Sequence, residues 1–182
     1  MLQIAIDTAI FPAGTTGGQL DVIARQPLWK DGSDYLHGTG RGVGSFLSAY
    51  EGPQSFNNAT VALEPGHVLT NEPGYYKEGH WGIRIGSTLV VRNVETKGEF
   101  GGNCWLGFER FTQVPIQSKM IKASLLNMEE KNWVKEHNRG VLMAIEPLIG
   151  GVGDERAIKW LKRECSYVLG NEGEGITGFS IE

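Results

Sequence analysis

His37, Glu72 and Glu109 are the residues whose types and settings could do chemistry. His37 lies in the stretch Asp34 to Pro53 and is followed by glycines at 40, 42 and 44, around Arg41 and Val43. Glycine at that density lets backbone lie close to something, or lets it turn at positive φ. A histidine beside such backbone can titrate or hydrogen-bond near neutral pH. The same stretch also reads as a glycine-rich turn with a satisfied histidine. Glu72 precedes Pro73-Gly74 at the end of a strand, and Glu109 falls mid-strand among apolar neighbours. A carboxylate buried there needs a cation, either a metal or a basic side chain. A turn residue and a solvent-facing strand residue are the plain alternatives. The zinc-protease, paired-cysteine, phosphate-loop and nucleophile-elbow patterns are absent from the sequence.

The elements that must position these residues are legible in outline. Leu2, Ala5, Ile6 and Ala9 recur as one face of a helix that starts without a cap. Residues 12–18 read as a loop, and Leu20 to Arg25 as a short helix that should end or kink at Pro27. From Val61 the texture changes to short strands: Val61 to Glu64, His67 to Glu72, Trp81 to Ile85, Thr88 to Val94, and Trp105 to Gln117. Alternation puts Trp81, Ile83 and Ile85 on one face and Arg84 on the other. Pro115 should sit near a strand end or a sheet edge. Asn127 with Glu130 marks a helix start, with Trp133, His137, Val141, Ala144 and Leu148 as its recurring face. Glycines 150, 151 and 153 break it, and Asp154 caps a second helix with Ala157, Ile158, Leu161 and Cys165 inward. Residues from about Gly170 have no periodicity and read as a tail.

A chain of 182 residues reads as one domain with a core large enough to fold without disulfides. Its formal charge of −4, with no basic run, argues against nucleic acid or an anionic membrane as a partner. Cys104 and Cys165 lie far apart and fit reduced thiols of a cytoplasmic protein. No apolar run approaches a membrane-spanning length. The 26 glycines follow no period, and no internal repeat is present. Asn58-Ala59-Thr60 is a glycosylation sequon, meaningful only in a secreted protein.

Several motifs in order carry a family resemblance. Asp-Tyr-Leu-His-Gly-Thr-Gly-Arg-Gly-Val-Gly, Glu-Gly-Pro, Glu-Pro-Gly-Tyr-Tyr, Gly-Ile-Arg-Ile and Phe-Glu-Arg-Phe-Thr-Gln-Val-Pro-Ile-Gln resemble aminopeptidase P, the Xaa-Pro aminopeptidase of the pita-bread metallopeptidases. The closing helices resemble those of its eukaryotic cytosolic form, so the likeness covers about residues 1–165. It implies an α/β (α+β) fold, a curved and mostly antiparallel sheet backed by helices. One piece of that catalytic domain would span 1–168, with a tail at 169–182. It also implies a Mn²⁺-type centre of two metals about 3.5–4 Å apart that activates a water and polarises a carbonyl. The family's ligands are two aspartates, one histidine and two glutamates. By motif Glu72 and Glu109 match the glutamates, His37 a substrate-side histidine, and Arg84 the arginine that supports the site.

The departures from the family pattern are large. The ligand aspartates belong to the half of the family's domain that precedes this sequence. Arg41 stands where the family has its ligand histidine, and Tyr50 where it has a histidine before Glu-Gly-Pro. Gly86 and Asn71 occupy positions that are often acidic. Arginine cannot bind a metal, but its planar fork suits carboxylates. The expectation is therefore that Arg41 replaces the metal's charge and neutralises Glu72 and Glu109. Its removal would then cost about 3–5 kcal/mol. No cofactor is expected, and Mn²⁺ only if hydrolysis survives. Half of a sheet should leave an edge and an apolar face open, which implies a homodimer or another chain as partner. Two functions follow: a non-catalytic binding or regulatory module, with a peptide carrying proline second as its possible ligand, or a residual Xaa-Pro hydrolase acting alone or completed by a partner.

Overall fold

The computed structural model describes residues 1–57, 60–98, 100–102 and 104–166. The sequon and the tail from Gly170 fall partly or wholly outside them. The stretch read as one domain piece consists of two compact units, Met1–Thr112 and Gln113–Glu182.

The first unit opens with α1 (Leu2–Asp7), β1 (Phe11–Pro12) and α2 (Gly17–Trp29). α2 starts earlier than its apolar periodicity suggests, because Thr16 and Gln19 form a capping box. It also runs through Pro27 to Trp29, anchored by Leu28, which is buried. Two-residue strands β2 (Val43–Gly44) and β3 (Ser48–Ala49) form a small hairpin. β4 (Val68–Asn71) follows, then the hairpin β5 (Gly74–Lys77) and β6 (Trp81–Arg84), then β7 (Ser87–Val94) and β8 (Trp105–Arg110).

The main sheet is antiparallel, in the order β1-β8-β7-β4. Residues 39–42 extend it beyond β4: Thr70 N–H donates to the Arg41 carbonyl at 2.8 Å, and Glu72 N–H to the Thr39 carbonyl at 2.6 Å. Side chains alternate across such a sheet. Leu69, Leu89 and Val91 face the core with Ile6, Phe11, Leu20, Ala24, Phe56, Leu63 and Leu106. Val61 to Glu64 is not a strand but a single bridge, Thr16 to Ala62, that lets Leu63 into the core. The last strand stops at Arg110, well before Pro115.

The second unit holds two short 3₁₀ turns, α3 (Met128–Val152) and α4 (Glu155–Cys165). Asn127 Oδ1 accepts from Glu130 N–H at 2.9 Å, and Asp154 Oδ1 from Ala157 N–H at 2.9 Å, so both caps form as their local patterns require. The buried stripe of α3 is Val134, Asn138 and Val141. Of the face expected from periodicity, Val141 is buried and Leu148 is 67% exposed. Asn138 takes the inner place because its amide bonds both the N–H and the carbonyl of Ile116.

Candidate functional site

The site belongs to the first unit and is built from α2 outward. Arg25 is the hub. Its Nε donates to Asp21 at 2.7 Å, one Nη to Asp34 and to the Tyr35 carbonyl, each at 2.8 Å, and the other Nη to the His37 carbonyl at 3.1 Å. Its guanidinium also stacks 4.1 Å over the Tyr35 ring. One arginine thereby straps residues 34–37 onto α2. Thr39 completes the strap by donating to Asp21, and its oxygen therefore accepts from the Tyr35 hydroxyl.

The strapped segment then runs beside β4. A Cβ on Gly40 would fall on the Thr70 carbonyl, so this approach requires glycine. β4 ends at Asn71, and Glu72 and Pro73 link it to β5. Tyr76 of β5 lies across Gly74 and Gly82, which leave room for its ring, and its hydroxyl reaches His37 Nε2 at 2.7 Å. His37 Nδ1 faces the Gly38 carbonyl at 2.9 Å. A carbonyl only accepts, so in the neutral ring Nδ1 carries the proton and Nε2 accepts from Tyr76. The lone pair of Nε2 is then occupied. Arg84 pairs across the hairpin with Gly74, and its Nη1 lies 3.4 Å from Glu72 Oε2.

Behind this face lies a buried polar cluster. Asp7 accepts from Asn71 Nδ2 at 2.7 Å and from Ser87 Oγ at 3.1 Å, and Arg110 Nε approaches it at 3.4 Å. Gln3 donates to Ser87, and Asn71 also donates to the Gln3 carbonyl. Burial pushes the Asp7 carboxyl up from its ordinary 3.8, against the lowering pull of Asn71, Arg110 and Ser87. Burial likewise lowers Arg110, against Asp7. Desolvation outweighs the pairing on both partners.

The structure gathers His37, Glu72 and Arg84, adds Tyr76, and leaves Glu109 and Arg41 apart from them. Glu109 pairs with Val90, and Val90 with Val68. Glu109 therefore sits two strands over and about 13 Å along the strand direction from Glu72. It is half exposed and bonds Arg92 Nε at 2.5 Å. Arg41 contacts neither glutamate; its guanidinium stacks 4.1 Å over Tyr50. The expectation that Arg41 neutralises both carboxylates is corrected accordingly: each has a nearer cation, Arg84 and Arg92. Sequence reading also missed Arg25. Its signal was an arginine among the apolar residues of α2, which periodicity assigns to solvent.

These donors do not fit a two-metal centre. Glu72 is engaged by Arg84, Glu109 by Arg92, and arginine stands at the histidine position. Among the described residues no three His, Cys, Asp or Glu side chains converge.

Residues 1–93 match metallopeptidase family M24, and residues 104–168 match the C-terminal region of peptidase M24. The chain belongs to metallopeptidase family M24. Within that family it is 50% identical over 172 residues to a probable Xaa-Pro aminopeptidase P of Coprinopsis cinerea, covering 91% of this chain and 27% of that protein. It is 49% identical over 170 residues to the Fusarium vanettenii counterpart, again 91% and 27%. Among solved M24 structures, the X-prolyl aminopeptidase of Caenorhabditis elegans superposes with a TM-score of 0.85 at 35% identity, over 92% of this chain and 27% of that one. That protein is described as a cytosolic enzyme with a di-nuclear active site. The likeness establishes the pita-bread type of fold for the curled antiparallel sheet and its helices. The chain spans about a quarter of the length of these M24 relatives. Among the described residues no helix is long and apolar enough to cross a membrane.

Proposed function

We propose that this chain is an Xaa-Pro aminopeptidase-like segment that works as a binding or regulatory module, without metal-dependent peptidase activity of its own. The observation that carries this reading is the charge arrangement. Arg41 occupies the histidine position on a Tyr50 shelf, and the carboxylate of Glu72 is already paired with Arg84. A metal entering there would meet two positive charges and a carboxylate already in an ion pair.

The test is elemental analysis of the purified chain together with cleavage of an Xaa-Pro peptide, with and without Mn²⁺. The expected result is far less than one metal per chain and no cleavage. Stoichiometric metal with turnover overturns the reading.

A second reading is kept because His37, Tyr76, Glu72 and Arg84 are gathered on one side of the β5–β6 hairpin. In it, a partner chain supplies the aspartates and restores hydrolysis. Activity that appears only on mixing with such a chain would favour it. Self-association is the accompanying proposal for either reading. Trp81, Ile83 and Ile85 of the hairpin region, with Leu36, Phe46 and Leu47, are exposed apolar side chains of the first unit. A dimer by light scattering at micromolar concentration supports it, and a monomer overturns it.

A further inference from the structure

Arg41 is a cation with no anion beside it among the described residues. Among the described residues its guanidinium makes no ion pair and no side-chain hydrogen bond; it rests on the face of Tyr50, 4.1 Å from the ring centroid. Stacking uses only the flat face of the guanidinium. The N–H groups on its edge stay free for a planar two-oxygen acceptor.

The shelf is built rather than incidental. Tyr50 sits at φ 70 and Ser48 at φ 61, a left-handed backbone that non-glycine residues rarely adopt. Three contacts hold it there. Glu51 N–H donates to the Gly42 carbonyl, the Glu51 carboxylate accepts from Phe46 and Leu47 N–H, and Val43 pairs with Ala49. Arg41 itself is fixed by Thr70, whose hydroxyl accepts the Arg41 N–H at 2.9 Å and whose N–H donates to the Arg41 carbonyl. Strain that persists under such support points to a use.

The surrounding charge also favours an anion. Arg41, Thr70 and Glu72 share one face of the sheet by alternation, and Arg84 offsets Glu72. The Glu51 carboxylate, next to Tyr50 in the chain, accepts from the backbone N–H groups of Phe46 and Leu47.

We infer that Arg41 on its Tyr50 shelf binds the carboxylate of a short peptide. This rests on the reading of the chain as a binding module of Xaa-Pro aminopeptidase type, takes a peptide as its ligand, and names the group such a peptide would present. A C-terminal carboxylate and an acidic side chain offer the same chemistry, so the experiment separates them. Ala-Pro-Ala with a free C-terminus, its C-terminal amide, an amidated Glu-containing tripeptide, acetate and inorganic phosphate are each titrated against the whole chain. NMR follows the Arg41 Nε–Hε and Tyr50 ring signals.

The free acid is expected to shift both signals to saturation. Its amide should bind at least tenfold more weakly. Arg41→Ala should lose at least tenfold for the acid, and Tyr50→Leu several-fold, each with a melting temperature only slightly below that of the wild type. Binding of the Glu peptide in place of the acid keeps the carboxylate site and assigns it to a side chain. Equal binding of acid and amide, an unaffected Arg41→Ala variant, or phosphate as tight as the acid would overturn the inference. If no peptide binds while acetate still shifts Arg41 in the wild type, the carboxylate site stands and the peptide-module reading fails.

Discussion

Gly86 stands beside Glu72: a Cβ added to Gly86 would lie 3.8 Å from Glu72 Cγ. The β4–β7 register brings them together, since Asn71 pairs with Ser87. The neighbour of Glu72 across the ladder therefore has no side chain, and the second glutamate expected beside it is remote. Glu109 forms an exposed ion pair with Arg92, and such pairs contribute about 0.2–1 kcal/mol. Glu109→Gln should lower stability in urea by less than about 1 kcal/mol. A loss of several kcal/mol would show that Glu109 is a buried partner after all.

Arg41→Ala gives the sharpest contrast with the sequence-level expectation. A stack on an exposed ring is worth about 0.5–1 kcal/mol. The variant should melt only slightly below the wild type, not the many degrees expected if it stranded two carboxylates. A loss of about 3 kcal/mol or more would restore the idea of a charge replacement within the core of the site.

Arg25→Met should be far more damaging. Its side chain is 14% exposed, and the guanidinium holds Asp21, Asp34 and the carbonyls of Tyr35 and His37. Removing it leaves a partly buried acceptor set without its donor, which costs about 3 kcal/mol. Chemical denaturation reads the loss. The His37 ring nitrogen shifts should move too, because the segment that aims them at Tyr76 is released. Unchanged His37 signals would confine Arg25 to a stability role.

Asp7 gives a pH dependence of stability. Burial raises its carboxyl in the fold above the ordinary 3.8, despite Asn71, Arg110 and Ser87. A carboxyl raised by folding favours the folded state while protonated. That contribution is whole below the ordinary value and is lost as pH rises through the raised one. In urea titrations from pH 4 to pH 8, the stability of the wild type relative to Asp7→Asn should decline with rising pH. A difference that grows with pH would mean that Arg110 outweighs burial.

Gly40→Ala tests the close passage of residues 39–42 along β4. Its methyl group would collide with the Thr70 carbonyl, and backbone cannot swing aside as a side-chain tip can. A cost of about 3 kcal/mol or more is expected. A stable variant would mean that the segment can leave β4 without loss.

The sequence by itself determined what depends on near neighbours. The caps at Asn127 and Asp154, the turn after Glu64 and the β-branched run of β7 are set within a few residues. The order of motifs around His37, Glu72 and Arg84 was enough to reach the family. Tertiary structure alone decided what depends on register and on the direction of long side chains. It placed Gly86 rather than Glu109 beside Glu72, because pairing across three strands is fixed by how their apolar faces meet the core. It carried α2 through Pro27, turned Asn138 inward and laid Arg41 on Tyr50. It also sent Arg25 nine to twelve residues along the chain to Asp34 and His37. A guanidinium on a flexible stem takes its place from whichever acceptors folding brings near it, and no local pattern records them.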